Sequence, residues 1–372
     1  SSFQSLYDEV AAGWIGQSDY DRNDQHHYHP DDHENDWFYK ALLPSAARLD
    51  GTENGDGAIS CTRVQELVQS GDWEDPNHGQ LYVRQVITKP SFYISVHNKQ
   101  YDPLRYTTIF ETGDYYEVQV RQRFEYILGE NQKVWDDYEN RQHTVQKMPI
   151  VLDVGGNIGY YTLLSAAWKH AVVTFEINPT NIMRLCESLS HDDQDSQPIS
   201  IHRQGVSNVT GAKVRVTVDS NPGATGLTPQ KVKSMSANIA KQQVFTVSTI
   251  TLDDFAQQNQ WFEQQPKIHV SLLKLDTEGH EPQILQGASR FIQQQLAKNI
   301  LVEYRPHCQD SIAAMLDAGY AIVDDSNPSK KRLLSRNEAL QFLDTESEIV
   351  RQKTSWEYSD LWLRLASLPF SK

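Results

Sequence analysis

Three cysteines, at positions 61, 186 and 308 of 372 residues, are too few and too scattered for a disulfide framework or a zinc cluster. At most one bridge can form. Cys186 falls inside an apolar helical pattern, where a cysteine behaves as a small core residue rather than a reactive thiol. Cations are also scarce: 34 Lys and Arg stand against 49 Asp and Glu, for a formal charge of −15. That balance argues against nucleic acid as the main ligand, because phosphate binding needs clustered Lys and Arg. Acidity of this kind serves solubility instead. No run approaches the roughly 18 apolar residues of a membrane helix, so no membrane span is expected in this chain. What remains is length for one large domain and a smaller one, with a hydrophobic fraction of 38% to fill a core.

The chain begins Ser1-Ser2-Phe3 without a methionine, which leaves room for a removed signal peptide or membrane anchor. With the sequon Asn208-Val209-Thr210, this leans toward the secretory pathway or a membrane-anchored state; a cytoplasmic location is the alternative. Acidic residues concentrate early, with 12 Asp or Glu against 3 Lys or Arg in residues 1–57. His26, His27, His29 and His33 lie among them, but their spacing fits no defined metal site and reads as a solvated loop. Residues 37–71 resemble a calcium-binding helix–loop–helix, with Thr52, Asn54 and Asp56 at ligand positions and Gly57 at the turn. Arg63 replaces the bidentate Glu, which makes the element degenerate, and no metal is expected in the protein.

Residues 81–128 alternate as strands and then turn to a helical pattern at Val118, Val120, Phe124, Ile127 and Leu128. A polar linker follows, to Met148. Beyond it, strands are expected at 149–154, 171–176, 199–203, 270–275, 299–303, 320–323 and 360–365, with helices between. That alternation predicts an α/β fold with an open, mostly parallel sheet of seven strands. One helix should bury Ile182, Leu185, Cys186 and Leu189, and another Ile284, Leu285, Ala288, Ile292 and Leu296. The segments AKVRVTV and VFTVSTITL add strands around the loop SNPGATGLTPQ, which is either a mobile gate or a plain surface loop.

The turn VLDVGGNIGYYT, after the first strand, poses the cofactor question. A dinucleotide site wants G-x-G-x-x-G, but Asn157 and Tyr160 stand where glycines would be required, and no Gly-Lys-Ser/Thr closes a phosphate loop. What is present is D-x-G-x-N-x-G: Asp153, Gly155, Asn157 and Gly159. Glycines let backbone approach a ligand closely, and an acidic strand end suits a cationic one. Glu176 ends the next strand, 17 residues after Gly159, where a carboxylate can accept both ribose hydroxyls. Together these favour S-adenosylmethionine. A third strand delivers Lys274, Asp276, Glu278, His280 and Glu281 just before a helix. Ligands of open α/β sheets sit at this carboxyl edge, so all five are expected to face the reacting centre rather than serve as caps.

The pieces LDVGGNIGYYT, FEINPTN, TLDDF, LLKLDTEGHEPQILQGA and LVEYRP, in this order, resemble the FkbM-type S-adenosylmethionine-dependent methyltransferases. ETGDYYE upstream is similar to that family's Gly-x-aromatic-Glu segment, with Gly113 and Glu117 at its ends. The resemblance runs over about residues 104–365. It implies a Rossmann-like class I methyltransferase sheet with a smaller N-terminal α/β extension, dividing the chain at 1–100 and 101–372. Gly156 departs from the family's usual Ala and is expected to be harmless. An insert near 185–245 is another departure.

The activity implied is O-methylation of a sugar, glycan or other small hydroxylated acceptor by in-line transfer. His280 is then the expected base, oriented by Asp276 or Glu278; alternatively Asp276 is the base and His280 a clamp. Lys274 either takes part or pairs with Glu278 for geometry. Asp153, Gly155, Asn157, Gly159 and Glu176 would hold the cofactor, with Thr162 anchoring the first helix and Ser207 at the adenine edge. Glu303 and His307 line the acceptor pocket or cap a loop. Two other classes stay open: a nicotinamide oxidoreductase, and a catalytically silent adaptor that retains the fold.

Overall fold

The computed structural model describes residues 57–115, 117–139, 149–191, 198–217, 227, 244–263, 270–327, 330–352, 359–368 and 370. The histidine tract, the calcium-like loop up to residue 56 and, apart from Leu227, the loop 220–230 lie outside these residues.

The strands form as the periodicity predicts. β1 (Val83–Gln85) and β2 (Tyr93–Ser95) make an antiparallel pair ahead of the main sheet. The main sheet draws on β3 (Ile150–Val154), β4 (Ala171–Phe175), β5 (Ile199–His202), β9 (Val270–Leu275), β10 (Asn299–Tyr304), β11 (Tyr320–Asp324), β12 (Arg332–Leu333) and β13 (Ser359–Leu365). Their order is β12-β11-β13-β10-β9-β3-β4-β5, with β13 antiparallel between β10 and β11 and the run from β10 to β5 parallel. All seven expected strands are present, and the two-residue β12 is an eighth. β6 (Gln204–Val206), β7 (Lys213–Thr217) and β8 (Val244–Ile250) build a separate three-stranded sheet from the added segments. In β3, β4, β9 and β10 every residue is buried, as a parallel sheet covered on both faces requires.

The helices among the described residues are α1 (Cys61–Gln69), α2 (Val118–Glu139), α3 (Tyr160–Ala167), α4 (Pro179–His191), α5 (Leu252–Gln258), α6 (Glu281–Gln286), α7 (Ser289–Gln293), α8 (Gln309–Asp317) and α9 (Arg336–Gln352). A turn at Pro103–Arg105 also runs into a π-helix, Tyr106–Glu111. Two boundaries differ from expectation. α2 continues to residue 139, well into the segment expected as linker. The helix expected over 282–296 is broken at Gly287-Ala288, because Gly287 packs its backbone against Ser207 and its carbonyl accepts from Asp253 N. Asp253 then receives the amides of Arg290 and Phe291 and so caps α7. The five apolar positions of that segment are buried nonetheless.

One face of the sheet, through Val151, Val172, Leu272, Leu301 and Trp362, shares a core with α1, β2, the π-helix and helices α2 to α4. Residues 59–115 therefore pack into the same core as the sheet. Their hold on α4 is also polar. Arg184, fully buried, pairs with Asp75 at 2.7 Å and Glu187 at 2.9 Å. Ser95 N donates to Ser188 Oγ, Ser95 Oγ to Glu187, and His97 Nε2 meets Asn181 Oδ1. The bridge Cys61–Cys186 joins α1 to α4 across 125 residues. Cys186 is thus both a core residue and half of the single bridge that three cysteines permit.

A loop that long should make the bridge worth roughly 2–5 kcal/mol by restricting the unfolded chain. Cys61→Ser is expected to lower the unfolding free energy in urea by that amount and to make the melting temperature insensitive to dithiothreitol. An equal response of wild type and variant to the reductant would contradict the pairing.

Candidate functional site

β3 delivers Asp153 to the carboxyl edge, and the chain must then turn into α3. Gly155 and Gly156 both donate to Phe175 O, tying the turn to the end of β4. Gly155, Asn157 and Gly159 have φ of 85°, 52° and 91°. At Gly155 the left-handed backbone is enforced by contact, since a Cβ there would stand 1.8 Å from the Asp276 carbonyl oxygen. The turn after β3 and the loop after β9 therefore touch through backbone, and Asp276 N donates to Val154 O at 3.1 Å. The glycine turn and the acidic loop thus lie side by side at the carboxyl edge of the sheet.

Asp153 is fully buried. Its Oδ2 accepts from Thr162 Oγ1 at 2.7 Å, which fixes α3 to the strand, while Oδ1 has no hydrogen-bond partner and lies 3.6 Å from Lys274 Nζ. Lys274 faces Asp153 because the two are register partners in the β3–β9 ladder. Its ammonium also pairs with Asp276 at 3.1 Å and donates to Gly155 O. Burial works against this charge, but Asp276, Asp153 and Glu117 outweigh it and hold the lysine above its ordinary value. The expected alternative, a Lys274–Glu278 pair, does not form. Glu278 lies past Asp276 in a left-handed conformation and pairs with Arg305 instead.

Glu176 ends β4 as a buried carboxylate, with Oε2 accepting from Asn157 N at 2.6 Å and Oε1 from Asn178 N at 2.7 Å. Burial pushes it up to about 7, against the pull of those two amides. Oε1 also accepts from Asn181 Nδ2 at 3.5 Å, which leaves the open lone pair on Oε2.

The loop from 276 to 281 turns on Glu278 and Gly279, both with positive φ. Glu281 closes it: Oε1 accepts from Thr277 N, Thr277 Oγ1 and Gly279 N. Of the five ionisable residues expected at the reacting centre, this one is a loop-closing group. His280 opens α6, its Nε2 2.9 Å from Ser207 Oγ, and burial holds the imidazole below its usual range. Burial thus favours the uncharged imidazole. Asp276 and Glu278, expected to orient it, engage Lys274 and Arg305.

Arg305 and Asp360 do not stand out in the sequence, whereas Glu303 and Glu117 do. Arg305 bridges Glu278 and Glu303, at 3.5 and 3.2 Å. Glu303 is pushed up to about 9, first by burial and then by Asp276, Glu281 and Glu278. Asp360 starts β13, and burial followed by Asp276 and Glu117 raises it to about 7. Tyr161 donates to Glu117 at 2.9 Å, and Lys274 sits over the Tyr161 ring. A cavity of about 380 Å³ opens between α2, β11 and β13, lined in part by Gln119, Gln122, Asp324, Lys331, Asp360 and Trp362. Arg123, on its wall, is fixed by Asp325 and by Asp360 O.

Residues 153–322 match the family model described as the methyltransferase FkbM domain. Among solved structures, a methyltransferase FkbM from Methylobacillus flagellatus KT is similar at 13% identity, over 60% of this chain and 45% of that one, with a TM-score of 0.29. The chain thus spans less than half the length of that structure. No curated protein matches the chain.

Gly156 proves less neutral than its expected interchange with Ala. A Cβ there would lie 2.1 Å from Thr174 Oγ1, on the neighbouring strand, so the buried Thr174 side chain would have to shift. Gly156→Ala should cost about 1–3 kcal/mol in denaturant unfolding. Adding Thr174→Ala should recover most of it, and strictly additive losses would show that the two positions are uncoupled.

Proposed function

We propose that the protein, whose residues 153–322 match the methyltransferase FkbM family model, uses S-adenosylmethionine to methylate a hydroxyl of a sugar, glycan or other small hydroxylated acceptor. The observation that carries this is the backbone contact of Gly155 with Asp276, which sets a glycine turn, two acidic strand ends and a histidine whose uncharged form burial favours around one edge.

The residues present fit that cofactor. Glu176 Oε2 has an open lone pair for one ribose hydroxyl, Oε1 could take the second by giving up its long contact from Asn181 Nδ2, and the Asp153 Oδ1 without a hydrogen-bond partner is an acceptor in reserve beside the glycine turn. When bound, S-adenosylmethionine supplies a methyl group on a sulfonium that is already a good leaving group. The protein's task is to align, exclude water and move one proton. Alignment alone lowers such a barrier by about 7–11 kcal/mol. His280 Nε2 is the atom proposed to take the acceptor's proton, and Ser207 Oγ at 2.9 Å already stands where a hydroxyl donor would. A positioned base of this kind contributes roughly 10²–10⁴-fold. Lys274, locked between Asp153 and Asp276, serves geometry and charge balance.

The cavity beside Asp360 suits the body of a hydroxylated acceptor, because its lining mixes amides, carboxylates and an aromatic ring. A secretory or membrane-anchored location fits the Cys61–Cys186 bridge, since such bonds persist in oxidising compartments.

Calorimetry with S-adenosylhomocysteine tests the cofactor assignment. Affinity should fall as pH drops from 8 to 6, because Glu176, ionised above about 7, loses acceptor capacity on protonation. Glu176→Gln should weaken binding by about 10–100-fold at pH 8 and flatten that dependence. Binding of NAD in place of the homocysteine nucleoside would point to an oxidoreductase.

Catalysis is tested with labelled methyl donor offered to fractionated glycans and small hydroxylated metabolites. His280→Ala should slow transfer by about 10²–10⁴-fold at unchanged cofactor affinity. Equal transfer by wild type and variant removes His280 from the chemistry, and weak or absent cofactor binding with no transfer favours the silent-adaptor alternative.

A further inference from the structure

A second set of ligand-type atoms converges where the loop after β9 meets the turn after β10. A carboxylate oxygen of Glu281, a ring nitrogen of His307 and Cys308 Sγ all lie within 4.8 Å of one another. Glu281 is the first residue of α6, and His307 and Cys308 end the short 3-10 turn Pro306–Cys308. Neighbouring side chains of these types do not by themselves make a site. The deciding feature is Glu281 Oε2, which is fully buried and has no hydrogen-bond partner, while Oε1 already takes three donors. A buried carboxylate oxygen left without a donor is costly, and a cation is what such an atom accommodates best. Cys308, also fully buried, is the free thiol beside it.

We propose that Glu281 Oε2, His307 and Cys308 Sγ bind one divalent cation of the zinc class. The donor set decides the class: one oxygen, one imidazole nitrogen and one sulfur suit zinc or cobalt, whereas magnesium and calcium ask for oxygen throughout. Zinc bonds of about 2.0–2.3 Å put tetrahedral ligand atoms roughly 3.3–3.7 Å apart. The three atoms need draw in by only about an ångström, and exposed His307 can supply that movement. On binding, the Cys308 thiol releases its proton to solvent, so thiolate and carboxylate together balance the dication. A fourth position stays with water.

The cation would act on position rather than on methyl transfer. Glu281 Oε1 shapes the loop that carries Glu278 and His280, and the turn 306–308 follows Arg305 directly. One ion held by Glu281, His307 and Cys308 fastens those two segments together. The site stands whether or not the methyltransferase assignment does.

Cobalt(II) titration of the full chain is the test. Cys61 and Cys186 are joined, so among three cysteines Cys308 is the one thiol that can give a thiolate-to-cobalt charge-transfer band. The histidines at 26–33 can also attract cobalt, but without that band. One equivalent of cobalt with the near-ultraviolet band is expected, displaced by zinc. Cys308→Ser should abolish the band, and His307→Ala, an exposed and structurally mild change, should weaken affinity at least tenfold. Cobalt uptake without the band, or a band and affinity unmoved by His307→Ala, overturns the proposal. Should Cys308→Ser fail to fold, His307→Ala decides alone.

Discussion

The site depends on two backbones that nearly touch. Gly155 and the Asp276 carbonyl lie so close that no side chain can stand between them. That contact fixes how the turn after β3 and the loop after β9 diverge, and hence the gap in which Lys274 sits between Asp153 and Asp276. A buried ammonium needs both carboxylates there, because a lone ion of either sign in that position would cost several kcal/mol. Steric necessity at one glycine thereby sets the electrostatics of the whole edge.

That edge is crowded with acids whose charges are suppressed. Glu176, Glu278, Glu303 and Asp360 are all raised, in each case by burial first and then by neighbouring carboxylates, for Glu176 by Asp153. Arg305 relieves Glu278 and Glu303, and Arg123 relieves Asp360 only in part. An edge of this composition favours arriving positive charge, since a cation lets neighbouring carboxyls ionise. This is the electrostatic character a sulfonium ligand calls for, and it is unsuited to the pyrophosphate of a dinucleotide, which needs amides and cations.

Residues ahead of the main sheet bear on the same edge through α4. Glu176, Asn178 and Asn181 stand at the junction of β4 and α4, and α4 is held by a disulfide, the buried Arg184–Asp75 pair and the His97–Asn181 contact. None of these partnerships was legible in the sequence. Spacing gave the strands, because a covered parallel sheet reads as short apolar runs, and it gave the glycine turn, because few residues tolerate that backbone. It could not give Arg184 a partner 109 residues away, since buried ion pairs leave no periodic trace. Asp360 was equally hidden. It matters only because β13 inserts antiparallel between β10 and β11, which brings the start of that strand to the edge where its neighbours end.

Within the acidic loop, counting residues along the chain misled for a related reason. Lys274, Asp276, Glu278, His280 and Glu281 look like one cluster, and in an extended strand the first four would share one face. The strand stops at Leu275, and the left-handed pair Glu278-Gly279 then turns the backbone. Asp276 still shares the face of Lys274, Glu278 swings to Arg305, His280 meets Ser207, and Glu281 folds inward to hold the loop's own amides. Five neighbours in sequence thus acquire four different partners. The chemistry of such a loop is set by where its φ angles change sign, and a glycine preceded by a carboxylate is the local mark of that change.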